Sequence, residues 1–255
     1  MTAFVTIDAT RLEYQLIESS QGRSDTLVFL HEGLGSVAGW RDYPAKIAAA
    51  TGWRILVYSR RGYGQSDPIS GPRRVDFMHD EGRGVLPVML DRLGIERPVL
   101  IGHSDGGSIA LIHAGGTDRP VRGVITLAAH VFVEDLTIAG IVDAKKAFET
   151  TDLGQRLGRV HKDVASAFWG WNDIWLHPDF RAWNIEEFLP KIRCPVLAIQ
   201  GVDDQYGTPG QVDTIVRGVG AKARGLMIEN CRHAPHREAE TVTTGAIIDF
   251  VASLG

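Results

Sequence analysis

Four stretches of this chain are nearly continuous apolar runs of strand length: Thr26 to His31, Pro98 to Gly102, Val121 to Ala129 and Pro195 to Gln200. A strand with one wet face alternates apolar and polar residues. Runs that do not alternate are buried on both faces, which is the habit of parallel sheets covered by helices on either side. The intervening sequence agrees. Helical patterns fall at Trp40 to Ala50, Val75 to Leu93, Ser104 to Ala114, Pro209 to Val219 and Glu238 to Ser253. Pro87 lies inside the second of these, so a kink or break is expected there. Shorter strands are expected at Phe4 to Ile7, Leu12 to Ile17, Arg54 to Tyr58 and Gly225 to Ile228. The expected class is α/β, with a mostly parallel central sheet and helices on both faces.

One segment breaks the grammar. Residues 130–190 hold helical stretches but no strand-like run, and they carry four of the six tryptophans, Trp169, Trp171, Trp175 and Trp183. The segment reads as a helical cap inserted into a core made of residues 1–129 and 191–255. No internal repeat or low-complexity tract interrupts either part.

Charge and cysteine usage narrow the function classes. Twenty-seven basic and 31 acidic side chains leave a formal net charge of −4. With no basic block, there is no electrostatic case for nucleic acid or an anionic membrane surface. No apolar run is long enough to span a bilayer, and the start lacks the basic and apolar regions of a signal peptide. Cys194 and Cys231 are too few for a disulfide framework. They read as reduced thiols of a cytoplasmic protein, a single bridge being the lesser alternative. No metal-ligand spacing is evident, and no cofactor is expected.

The sharpest signal is Gly102-His103-Ser104-Asp105-Gly106, a G-x-S-x-G motif between an expected strand and an expected helix. That context is a nucleophile elbow: a tight turn lifts the serine hydroxyl above the sheet edge, at a helix N-terminus that favours negative charge. The plainer alternative is a serine that merely caps the helix. A phosphate-binding turn is disfavoured because the loop has no lysine.

At these residues the chain resembles the α/β-hydrolase family, and the resemblance covers essentially its whole length. His31-Glu32-Gly33-Leu34-Gly35-Ser36 is similar to that family's oxyanion loop, and Arg61-Gly62-Tyr63-Gly64-Gln65-Ser66 to its turn after the next strand. The resemblance implies the α/β-hydrolase fold and a serine hydrolase with a catalytic order of Ser, acid, His. It implies Ser104 as nucleophile. Of Asp203 and Asp204, the family spacing Gly-x-x-Asp selects Asp204, and the other aspartate is ordinary turn chemistry. In the loop before the last helix, His233 matches the family's base and His236 packs or caps. The oxyanion donors implied are the backbone N–H of Asp105 and that of Gly33 first or Leu34 second. Glu32 displaces the commoner His-Gly form, which leaves that register open, and Glu32 itself reads as a salt-bridged spacer or a substrate contact.

The reaction expected is cleavage of a small carboxylic ester or related acyl compound through an acyl-enzyme. The nearest resemblance is to the valacyclovir hydrolase, or biphenyl hydrolase-like, branch. There the acidic residue after the nucleophile attracts an ammonium, a role that would fall to Asp105. The alternative for Asp105 is simply to complement the helix dipole. Meta-cleavage-product C–C hydrolases are a second branch, weakened by Asp105 and Ala234 where those enzymes carry Met and Trp. A small-molecule-binding protein on the same fold is the non-enzymatic alternative. Asp105, His130, Trp169 and Trp183 are the candidate substrate contacts. His31 is expected to support the oxyanion loop, and His103 to be buried in the elbow. The oligomeric state is left open.

Overall fold

The apolar runs pair as one eight-stranded sheet. The computed structural model describes residues 2–255. In chain order the elements are β1 (Thr2–Ile7), β2 (Thr10–Ile17), β3 (Thr26–Leu30), α1 (Tyr43–Thr51), β4 (Arg54–Tyr58), α2 (Phe77–Asp80), α3 (Leu86–Arg92), β5 (Val99–His103) and α4 (Asp105–Gly116). They continue with β6 (Gly123–Leu127), α5 (Asp135–Thr150), α6 (Leu153–Leu157), α7 (Val164–Trp175), β7 (Val196–Gly201), α8 (Gly210–Val219), β8 (Ala223–Ile228), α9 (Pro235–Glu238) and α10 (Glu240–Ala252).

The strand order is β1-β2-β4-β3-β5-β6-β7-β8. β1 pairs antiparallel with β2, and β2 with β4. Every later pairing is parallel, so β3 to β8 end at one common edge. Successive side chains of each central strand feed opposite faces. Val28, Leu100, Val124 and Ala198 belong to one buried cluster. Leu27, Phe29, Val99, Ile101, Ile125 and Leu197 join Trp40, Ile47, Ile247 and Phe250 in the other. Both clusters are apolar because both faces are covered, which is why the strands do not alternate in sequence.

The helix expected over 75–93 begins at Phe77 and carries a single π turn, Glu81–Val85, before α3. Pro87 lies in the first turn of α3. It has no N–H to donate, and its ring would strike the carbonyl four residues back, so the helix widens for one turn instead of breaking. The last helix is interrupted at Ala239, giving α9 and α10. No helix among the described residues is long and apolar enough to cross a membrane.

The stretch between β6 and β7 contains α5, α6, α7 and two short 3-10 turns, Pro178–Ala182 and Glu186–Lys191. Its ends meet in an isolated bridge between Phe132 and Asn184, beside an Ile185 N–H to Val131 carbonyl bond of 2.9 Å. Thus the chain leaves the sheet and returns at nearly the same place.

Candidate active site

Ser104 occupies the turn between β5 and α4 with φ 50° and ψ −120°. A non-glycine residue in that region stores about 1–3 kcal/mol of strain. The surroundings hold it there. A Cβ on Gly102 would come within 2.1 Å of the Gly106 carbonyl, and one on Gly106 within 2.0 Å of the Leu30 carbonyl. Only bare backbone lets strand and helix approach so closely. The Ser104 hydroxyl makes no capping hydrogen bond to α4, so the simple N-cap role is not the one it plays. The Asp105 N–H, first in the helix, has no carbonyl four residues back to meet.

Asp204 and His233 come from the loops after β7 and β8. His233 Nδ1 lies 2.8 Å from Asp204 Oδ1 and 3.0 Å from Oδ2. Asp204 is buried, whereas Asp203 is exposed and only its N–H is engaged, to the Cys231 carbonyl. Burial works against the Asp204 charge. The His233 contact and the Tyr206 N–H, 2.8 Å from Oδ1, outweigh it and hold this carboxyl below its ordinary range. An ionised carboxylate only accepts, so His233 donates through Nδ1 and keeps a lone pair on Nε2. His236 lies apart, packed on Trp40, Tyr43 and His103 at ring separations of 4.9, 5.4 and 4.8 Å. Burial pushes its imidazole well below the usual range.

The loop carrying His233 and the turn carrying Ser104 are joined directly. His103, adjacent to Ser104, donates through Nε2 to the His233 carbonyl at 2.8 Å. Its Nδ1 is 3.5 Å from Glu32 Oε2. Burial would raise the Glu32 carboxyl, but His103 and Arg237 beside it hold it well below the carboxylate range. Glu32 therefore sits against the elbow rather than in a free loop.

The loop after β3 is pinned from beneath by Arg60, a residue that no sequence motif singled out. Its guanidinium donates to the carbonyls of His31 and Glu32 and lies 3.5 Å from Asp105 Oδ2. Both partners of that ion pair are buried. Asp105 Oδ1 also accepts from Trp175 Nε1 at 3.2 Å. The Asp105 carboxylate, considered for an external ammonium, is thus already engaged by two protein donors. Burial pushes its carboxyl up, against the pull of Arg60.

Two histidines fix the same loop. His31 Nε2 accepts from the Arg60 N–H at 3.0 Å, so its Nδ1 carries the proton donated to the Glu32 carbonyl at 2.7 Å. His161 Nδ1 accepts from Gly64 N–H, and its Nε2 donates to the Leu34 carbonyl, both at 2.9 Å. Both rings are held neutral by burial first of all. His161 lies in the 130–190 stretch, and only the folded chain brings it here.

The tryptophans divide. Trp169 packs on Phe148 and Phe168 with Lys145 over its ring, and Trp183 stacks on Phe180. Trp171 and Trp175 reach the loops instead. A Cβ on Gly33 would come within 2.0 Å of Trp171 Nε1, so that indole lies directly on Gly33. Trp175 meets Asp105 and the edge of His130. Their i, i+4 spacing on α7 was the available signal. His130 is buried, with Nε2 donating to the Tyr206 carbonyl at 3.0 Å and its ring 5.9 Å from that of His233.

Residues 25–145 match the family model described as alpha/beta hydrolase fold. Over 264 aligned residues the chain is 31% identical to 2-hydroxy-6-oxo-6-phenylhexa-2,4-dienoate hydrolase of Comamonas testosteroni, covering 90% of this chain and 88% of that one. The chain belongs to the alpha/beta hydrolase family. This hydrolase is also 27% identical over 243 residues to the serine hydrolase BPHL of Homo sapiens, covering 92% of this chain and 81% of the relative. Among solved structures, the fold of this hydrolase is similar to that of the enol-lactonase from Burkholderia xenovorans LB400. The TM-score there is 0.78 at 21% identity, over 98% of this chain and 100% of that one.

Proposed function

We propose that this hydrolase cleaves small carboxylic esters or related acyl compounds through an acyl-enzyme on Ser104. The observation that carries the reading is a strained, uncapped serine at the same sheet edge as an Asp204–His233 pair in the donor geometry of a general base. His233 Nε2 takes the Ser104 proton as Oγ attacks the carbonyl carbon. The oxygen then bears negative charge, met by the N–H groups of Asp105 and Gly33, with Leu34 as the alternative second donor. His233 returns the proton to the leaving alkoxide. Water, deprotonated by His233, next attacks the acyl carbon, and the acid departs as Ser104 regains its proton. Asp204 keeps the imidazole in the productive tautomer and stabilises its cation. None of these steps calls for a metal or an organic cofactor.

In this reading residues 130–190 cap the site, and Trp171, Trp175 and His130 face the acyl group. A cytoplasmic location accords with two free, buried cysteines. Asp105, spent on Arg60 and Trp175, leaves the enzyme without a strong demand for amine-bearing esters.

The test uses p-nitrophenyl acetate and a fluorophosphonate probe. Wild type releases nitrophenol and takes one label on the peptide containing Ser104; S104A does neither. Labelling elsewhere, or equal hydrolysis by both proteins, overturns the assignment. The Comamonas testosteroni relative supports a second reading, carbon–carbon cleavage of a dienoate at the same residues. Faster turnover of 2-hydroxy-6-oxo-6-phenylhexa-2,4-dienoate than of any ester offered would favour it.

A further inference from the structure

Tyr206 touches both partners of the acid–base pair and is touched in turn by α5. It follows Asp204 by two residues, and its N–H donates to Asp204 Oδ1 at 2.8 Å. Its ring lies 4.7 Å, centroid to centroid, from the His233 imidazole. Its carbonyl accepts from Thr137 Oγ1 at 2.5 Å and from His130 Nε2 at 3.0 Å. Thr137 belongs to α5, and so does Gly140, where an added Cβ would stand 2.7 Å and 2.8 Å from Tyr206 Cδ1 and Cε1. The Tyr206 ring therefore fills the gap between a bare stretch of α5 and the base.

We infer that Tyr206 is a positioning residue that carries the seating of α5 to the Asp204–His233 pair. The inference rests on the proposed role of that pair. Its physical content has two parts. The backbone of Tyr206, clamped through its carbonyl, holds the Asp204 carboxylate where His233 needs it. The ring fixes the imidazole plane and attracts the imidazolium that forms when the Ser104 proton arrives, because an aromatic π-system favours a neighbouring cation. Ground-state ester gains nothing from either effect, so the consequence belongs to kcat and not to KM.

The experiment is a double-mutant cycle on p-nitrophenyl acetate, with S104A as the reference for the proposed chemistry. Y206L is expected to lower kcat about tenfold with KM changed less than twofold. Y206F keeps the ring and restores kcat to within about twofold of wild type. G140V, which alters no residue of the acid–base pair, is expected to lower kcat by a similar factor by displacing the ring. In the Y206L background the aromatic ring is gone and the Gln205 carbonyl, 3.0 Å from the added Cβ, is the close contact that remains, so most of the second loss is absent. Thermal melting of each variant separates a misplaced ring from an unfolded protein. Unchanged kcat in a folded Y206L, or losses that multiply in the double variant, overturns the inference. If S104A itself retains activity, the failure lies in the proposed chemistry instead.

Discussion

Arg60 shows how much one side chain can settle when its charge is buried. Its fork joins two carbonyls of the loop after β3 to the first residue of α4. Removing it leaves the Asp105 carboxylate buried with the Trp175 N–H as its remaining side-chain donor. R60M is therefore expected to cost about 3–5 kcal/mol in urea unfolding. Pairing it with D105N should recover part of that loss, since no charge is then stranded. R60K should not rescue activity on p-nitrophenyl acetate, because an ammonium cannot reproduce the planar fork. Arg60 was not legible in the sequence, where it is one of two adjacent arginines. Its role arises from strand order, which sets the ends of β3 and β4 side by side. The Asp204–His233 contact was legible, because both residues lie in turns directly after strands whose ends share one edge.

At the scale of elements, the connector between α6 and α7 works as a strap. His161 bridges Gly64 to Leu34, Ser36 Oγ donates to the Val160 carbonyl at 3.2 Å, and Lys162 N–H donates to the Gly64 carbonyl at 2.9 Å. H161F should leave a backbone N–H and a carbonyl without partners, costing about 1–3 kcal/mol each where they stay buried. The loop carrying Gly33 would loosen as well. Lower kcat on p-nitrophenyl acetate with a reduced melting temperature is the expected pair of results; a stability loss with unchanged kcat would confine the strap to folding. Sequence periodicity revealed that 130–190 is helical but not which helix face meets the core, because that face is chosen by contacts far away in the chain. The π turn was legible only as trouble at Pro87. Whether a helix breaks or widens depends on what it packs against, and here Glu81 is buried with its Oε1 2.9 Å from the Tyr58 hydroxyl.

Over the whole molecule, buried neutral histidines make stability depend on pH. Burial is the leading cause that lowers the folded-state pKa of His31, His113, His130, His161 and His236. In the unfolded chain each titrates near 6.5. Above that value both states are neutral and nothing is lost. Below it the unfolded state takes up protons that the folded state refuses, at about 1.4 kcal/mol per pH unit for each such histidine. Glu81 and Asp105, raised by burial, act with the opposite sign but are outnumbered. Melting temperature is expected to fall steadily between pH 7 and pH 5; a flat profile would mean these rings bind protons when folded.

The sheet order carries a last consequence, for the path by which the chain becomes active. Leu27 pairs with Val99, and Val124 with Val196, so two central ladders each close a loop of about seventy residues. Among the described strands, only the outer β1–β2 pair is joined by a tight hairpin. Distant pairings form slowly, and β5, which presents Ser104, is hemmed in by β3 and β6. Early collapsed forms can hold much of the helix and the hairpin while Ser104 and His233 are still apart, so the proposed reactive centre is expected among the last parts of the molecule to come into being.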